Sequence, residues 1–64
     1  MSNEDIRALS MDELKEKIVS EKENLRKIQF THEVSSIENP MKIREAKRLV
    51  ARLLTELTAK EKQQ

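Results

Sequence analysis

Three arginines recur at every fourth position in the second half of the chain: Arg44, Arg48 and Arg52. On an α-helix they point in directions within about 80° of one another and rise in steps of about 6 Å. The guanidinium group is a planar fork that binds two phosphate oxygens at once. The spacing therefore predicts one helix face suited to phosphate groups, and we call these three residues the arginine ladder.

A row of charges can also be an ordinary solvated helix face with no ligand. Two features favour a ligand here: arginine rather than lysine occupies all three positions, and only Glu45 lies nearby. The charge is also uneven, because residues 1–34 carry a net −2 and residues 35–64 a net +3. These features predict contacts with a nucleic-acid backbone, which position a protein without reading base sequence.

Catalytic and metal chemistry lack the residues they need. His32 is the only histidine, the chain has no cysteine, and Ser35 has no third group that would complete a catalytic set. A structural zinc site needs about four ligands, and a glycine-rich phosphate loop needs glycine, of which the chain has none. We therefore expect no enzyme activity, no metal and no cofactor. Phe30, the only aromatic residue, is expected to pack in the core beside the turn.

The length and the hydropathy pattern predict one small soluble domain, residues 1–64. The longest apolar run is three residues, 49–51, far too short for a membrane span. The first ten residues have acidic side chains where a signal peptide would be basic and apolar. We therefore expect a cytoplasmic protein.

A capping box predicts where the first long helix begins. In the sequence Ser10-Met11-Asp12-Glu13, the Ser10 hydroxyl can accept from the Glu13 N–H, while the Glu13 carboxylate accepts from the Ser10 N–H. Apolar residues then recur at alternating spacings of three and four, which predicts a helix over about residues 11–33. Glutamates four residues before lysines predict surface ion pairs at Glu13–Lys17 and Glu23–Lys27.

The second long helix is predicted to begin at the only proline. Asn39 is a favourable N-cap residue, and Pro40 suits the first helical position because its missing N–H has no partner there. The apolar spacing continues to about residue 60. The helix is therefore predicted over about residues 40–60.

The apolar seams of the two helices match when the helices run antiparallel. The facing pairs are Leu14 with Leu57, Ile18 with Leu53, Glu21 with Val50, Leu25 with Ala46, and Ile28 with Ile43. This register centres the turn, about residues 34–38, on Ser35 and Ser36. A short helix over about residues 3–9 would fold Ile6 and Leu9 onto the open end. The predicted fold is all-α, an antiparallel two-helix hairpin with a short extra N-terminal helix.

The chain resembles the bacterial type of large-subunit ribosomal protein L twenty-nine over nearly its whole length. The resemblance rests on the Leu9–Leu14 segment L-S-x-x-E-L and on a C-terminal helix signature. That signature comprises Glu38-Asn39-Pro40, Ile43-Arg44, Lys47-Arg48, Ala51-Arg52 and Thr55. The family often has Thr-Gly in the turn where this chain has Ser35-Ser36, so a left-handed turn residue would have to be a serine.

The resemblance implies a structural constituent of the large ribosomal subunit, without catalytic activity. It implies binding to ribosomal RNA near the polypeptide exit tunnel, beside a protein of the L twenty-three type. The residues expected to contact RNA are Asn39, Lys42, Arg44, Lys47, Arg48, Arg52 and Thr55. The alternative is a helical-hairpin module for protein–protein interaction without RNA binding, because apolar stripes on both helices would also serve pairing with another chain.

Overall fold

Helices account for most of the chain that the structure, a computed structural model, describes: residues 2–35 and 40–63. Helix α1 spans Asn3–Arg7, α2 spans Met11–Val34 and α3 spans Pro40–Lys62. The two long helices pack against each other, and α1 packs against α3, in a body of about 44 × 18 × 15 Å. The predicted all-α hairpin with a short N-terminal helix is confirmed. No described helix has the length and the apolar character needed to cross a membrane.

The predicted capping box starts α2. The Ser10 Oγ accepts from the Glu13 N–H at 3.2 Å, and the Ser10 N–H donates to Glu13 Oε1 at 2.9 Å. The bond that the carboxylate accepts from the Ser10 backbone N–H, together with the nearby Ser10 side chain, lowers the pKa of the Glu13 carboxyl below its usual value. Lys17 pairs instead with Glu21 at 3.2 Å. The predicted Glu13–Lys17 and Glu23–Lys27 ion pairs are absent from the described part of the chain.

Loss of this cap is expected to destabilise the hairpin measurably. Ser10→Ala should lower the free energy of unfolding by about 1 kcal/mol, because the first turn of α2 loses a partner for a free N–H. Urea titration followed by circular dichroism measures the difference. Ser20→Ala, an exposed change inside the same helix, is the matched control and should have little effect, since alanine is a good helix former.

The cap also predicts a dependence on pH. A depressed pKa means that the folded state stabilises the Glu13 carboxylate. This contribution is present above the carboxyl's pKa in the unfolded chain and is lost as the pH falls through its folded-state pKa. The loss of stability on acidification should therefore be smaller in Glu13→Gln, which has no carboxyl group at this position, than in the parent chain. Equal losses in the two proteins would contradict the assignment.

The described ends of the long helices bear on the turn. Helix α2 ends at Val34 and is capped by Ser35, whose φ of −140° and ψ of 114° are extended. The Ser35 N–H donates to the Thr31 carbonyl at 2.9 Å. No described residue has a positive φ, so Ser35 does not adopt the left-handed conformation considered above. Helix α3 begins at Pro40, as predicted. Ser36 and the predicted N-cap Asn39 lie outside the described residues.

The core lies at the open end of the hairpin, away from the turn. Leu14 and Leu53 are both fully buried, and Ile6 and Ile18 complete their cluster. The half-buried residues packed against this cluster are Leu9, Leu49 and Leu57. This grouping agrees with the predicted facing of Leu14 with Leu57 and of Ile18 with Leu53. It also confirms that the N-terminal segment folds Ile6 and Leu9 onto the open end, although α1 itself ends at Arg7 and not at about residue 9.

The turn end of the hairpin is less well covered. The seam residues Leu25, Ile28 and Ile43 are only half-buried there. Phe30 is 66% exposed, so the prediction that it packs in the core is wrong. Phe30 follows Ile28 by two residues, which is about 200° around the helix and hence on the far side from the seam. With only two helices at this end, nothing described covers that outer face.

Candidate nucleic-acid interface

The buried face of α3 sets the direction of the arginine ladder. Ala46, Val50 and Leu53 are buried toward the rest of the hairpin. Because the ladder residues lie about 100–180° around the helix from Ile43, whereas the seam centres near 320°, they are turned outward. All three arginines are exposed, as predicted.

None of the ladder arginines forms a salt bridge with a described acidic residue. Glu45, the acid nearest to the ladder in sequence, is exposed and likewise forms none within the described ranges. The ladder is therefore a row of positive charges that form no salt bridge with a described carboxylate. Such a surface lowers the free energy of an approaching polyanion and speeds its association.

Two open grooves run along α3, and Arg48 and Arg52 line both of them. The α2–α3 groove is lined by Glu21, Asn24, Ile28, Lys42, Glu45, Ala46, Arg48, Leu49 and Arg52. The α1–α3 groove is lined by Asn3, Ile6, Arg7, Arg48, Ala51, Arg52, Thr55 and Glu56. Two ladder arginines thus stand on the crest between the grooves.

The other predicted contact residues are divided between these surfaces. Lys42 is in the α2–α3 groove and Thr55 in the α1–α3 groove. Arg44 and Lys47 are exposed and line neither of these two grooves. Asn39 lies outside the described residues. The predicted contact residues therefore do not form one patch. Arg48 and Arg52 lie between the two grooves, with Lys42 in one groove and Thr55 in the other.

The hydroxyl group of Thr55 already forms a hydrogen bond within α3. Its Oγ1 donates to the Ala51 carbonyl at 2.9 Å. A hydroxyl has a single hydrogen to donate, and a phosphate oxygen can only accept. In this arrangement Thr55 can accept a hydrogen bond from a ligand but cannot donate one to a phosphate.

The structure adds one basic residue that the sequence did not identify as a contact. Arg7, on α1, lines the same groove as Arg48 and Arg52. In the sequence Arg7 stands far from the ladder, inside an acidic segment, so neither spacing nor local charge pointed to it. The available signal was the amphipathic placing of Ile6 and Leu9, which predicted that this segment folds back.

Other chemistry has little support among residues 2–35 and 40–63. They contain no group of three or more side chains of the metal-binding types placed to hold an ion. The Nδ1 atom of His32 is buried and has no hydrogen-bond partner among them. The exposed arginines of α3 and α1 are therefore the features of this surface with a clear ligand chemistry.

Comparison with known proteins gives the family. The family model described as Ribosomal L29 protein matches residues 4–60. The protein named large ribosomal subunit protein uL29 in Cytophaga hutchinsonii is 55% identical over 62 residues, covering 97% of this chain and 100% of the relative. Its namesake in Amoebophilus asiaticus is 53% identical over 60 residues, covering 94% and 97% of the two chains. That of Acetivibrio thermocellus is 41% identical over 61 residues, covering 95% and 91%. No solved structure matches the chain. On the family model and these relatives, the chain belongs to the Ribosomal L29 protein family.

Proposed function

We propose that this protein is a structural constituent of the large ribosomal subunit and binds ribosomal RNA through the arginine ladder of α3. The observation that carries the RNA-binding part is the ladder itself: Arg44, Arg48 and Arg52 are exposed and unpaired with any described acid. The family, whose relatives are named as large-subunit proteins, supports the ribosomal part. The protein would then be part of cytoplasmic ribosomes.

The ladder binds RNA through backbone phosphates rather than through bases. Each guanidinium group can bind phosphate oxygens bidentately, and each phosphate neutralised releases condensed counterions. Thr55 has only its acceptor capacity to offer, which suits the 2′-hydroxyl of a ribose. Lys42 and Lys47 add positive charge on either side of the ladder. The recognition is therefore of RNA shape and charge, with little dependence on base sequence.

The protein–protein alternative loses its main support in the fold. That alternative required the apolar stripes of the helices to be available for another chain. In the structure they face each other, and Leu14 and Leu53 have no exposed surface. At the open end the seam is therefore already filled, and a second helix could not use that part of it without opening the hairpin.

Protein contact of a more limited kind fits the outer face of α2. Phe30 and Val34 are 66% and 71% exposed and stand one helical turn apart. Exposed aromatic side chains are enriched at protein contact surfaces, and Val34 extends the apolar surface around Phe30. This outer face suits the neighbouring large-subunit protein near the exit tunnel, of the L twenty-three type, that the family resemblance implies. No catalytic role is proposed.

Association with the large subunit is tested by sedimentation at different salt concentrations. In a lysate at low salt, the tagged chain should migrate with large subunits, because the folded ladder is neutralised by RNA phosphates. In high salt it should move to the free fractions, with three phosphate contacts alone contributing a slope of about −2 to −3 in log affinity against log salt. The proposal would be contradicted if the tagged chain sedimented free of subunits at low salt, or if it migrated with small subunits.

A further inference from the structure

The α1–α3 groove gathers arginines from two helices that are distant in sequence. Arg7 comes from α1, and Arg48 and Arg52 come from α3. The groove is open, and all three residues are exposed. Side chains from two helices can approach one group from two directions, whereas a ladder on one helix approaches its ligand from one side only.

The backbone of Arg7 is held in place by its surroundings. The preceding residue, Ile6, is 2% exposed within the cluster that includes Leu14 and Leu53. The Lys60 Nζ atom donates to the Arg7 carbonyl at 3.1 Å, which joins α1 to the last turns of α3. Arg7 is therefore positioned by burial and by a hydrogen bond that do not involve its guanidinium group.

The α1–α3 groove carries a net positive charge, which favours binding of an anion. Its lining contains three arginines and one carboxylate, that of Glu56, which leaves a net charge of +2. None of the three arginines forms a salt bridge with a described acid. Like charges brought together repel one another, and a bound anion would remove this repulsion and use the free donors.

We propose that the α1–α3 groove is a phosphate-binding site in which Arg7 joins Arg48 and Arg52 on one phosphate group of the ribosomal RNA backbone. This inference rests on the proposed RNA-binding function and adds a residue of α1 to it. Arg7 approaches the phosphate across the groove from the ladder. The ligand is a phosphodiester, because its oxygens match guanidinium donors and it carries a single negative charge for a site of net positive charge.

The test is the binding of the full chain to large-subunit ribosomal RNA, measured by filter binding over a series of salt concentrations. Arg7→Gln should lower the affinity about three- to tenfold, the loss expected for a charged contact with a net value near 1 kcal/mol. It should also reduce the salt slope by about one phosphate contact. Arg26→Gln is the matched control, since it removes the same charge from an exposed position of α2. Equal effects of the two changes would overturn the proposal.

A double-mutant cycle tests whether Arg7 and Arg48 share one phosphate. If they do, Arg7→Gln combined with Arg48→Gln should cost less than the product of the two separate losses. Full additivity would show two separate contacts and refute the shared site. The two proposals can also fail separately. If replacing the ladder arginines abolishes RNA binding but Arg7→Gln leaves the affinity unchanged, only this inference is refuted. If RNA binding survives the replacement of the ladder arginines, the proposed function is refuted.

Discussion

Replacing all three ladder arginines with glutamine should reduce the affinity for large-subunit ribosomal RNA by about 30- to 1,000-fold, at about three- to tenfold for each contact. Arg44, Arg48 and Arg52 are exposed and have no described acidic partner. Their removal therefore leaves the folded hairpin intact and takes away only donors and charge. Filter binding across a salt series measures the effect, and the salt slope should fall by about two to three. Circular dichroism checks that the helical content is retained.

The control for this prediction is a second triple variant with the same loss of charge. Lys15, Lys22 and Arg26 lie on one exposed face of α2. Their joint replacement by glutamine should change the affinity far less, because only long-range attraction is lost. If the two triple variants bound RNA equally weakly, binding would depend on net charge alone. The assignment of a specific face on α3 would then be wrong.

Leu53→Ala should destabilise the hairpin by about 2–5 kcal/mol, the range for truncating a buried leucine. Leu53 is 0% exposed and belongs to the cluster with Ile6, Leu14 and Ile18. A domain of this size has only a few kcal/mol of net stability, so the variant should be largely unfolded when isolated. Urea and thermal unfolding followed by circular dichroism provide the measurement.

Leu54→Ala is the matched control for Leu53→Ala. Leu54 is the next residue along the same helix and is 40% exposed, so the same truncation should cost much less. Equal losses at the two positions would mean that the cluster is not the core of the folded protein in solution. Ribosomal RNA added to the Leu53→Ala variant should partly restore its helicity, because a ligand that binds the folded state stabilises it by mass action.

Where each helix begins was readable from the sequence, because helix starts depend on neighbouring residues. Ser10 and Glu13 satisfy each other's backbone N–H groups within one turn of helix. Pro40 suits the first position of α3 for an equally local reason. The facing of the two long helices followed from their common spacing of apolar residues, since a stripe of this kind has to be buried. The outward direction of the ladder followed in turn from the same periodicity.

Whether the Phe30 side chain is buried could not be inferred from its apolar character. An apolar residue is usually buried, but a hairpin buries only one stripe of each helix. Phe30 lies on the wrong side of α2 and remains 66% exposed. The exposure of the Phe30 side chain depends on whether another element packs against the outer face of α2 near the turn, which is a property of the whole fold.

By itself the sequence determined the helices, their antiparallel pairing and the direction of the ladder, because caps and apolar periodicity act over one or a few turns. The sequence also predicted that Ile6 folds onto the open end of the hairpin. Only the tertiary structure decided that the buried cluster is concentrated at that end, while the seam residues near the turn stay half-buried. It alone also brought Arg7 beside Arg48 and Arg52. The contacts between α1 and α3 join residues about 40 or more positions apart in the sequence. They depend on how α1 docks through Ile6 and Lys60. The apolar spacing of Ile6 and Leu9 predicts that this segment folds back, but it does not predict which residues of α3 lie beside Arg7.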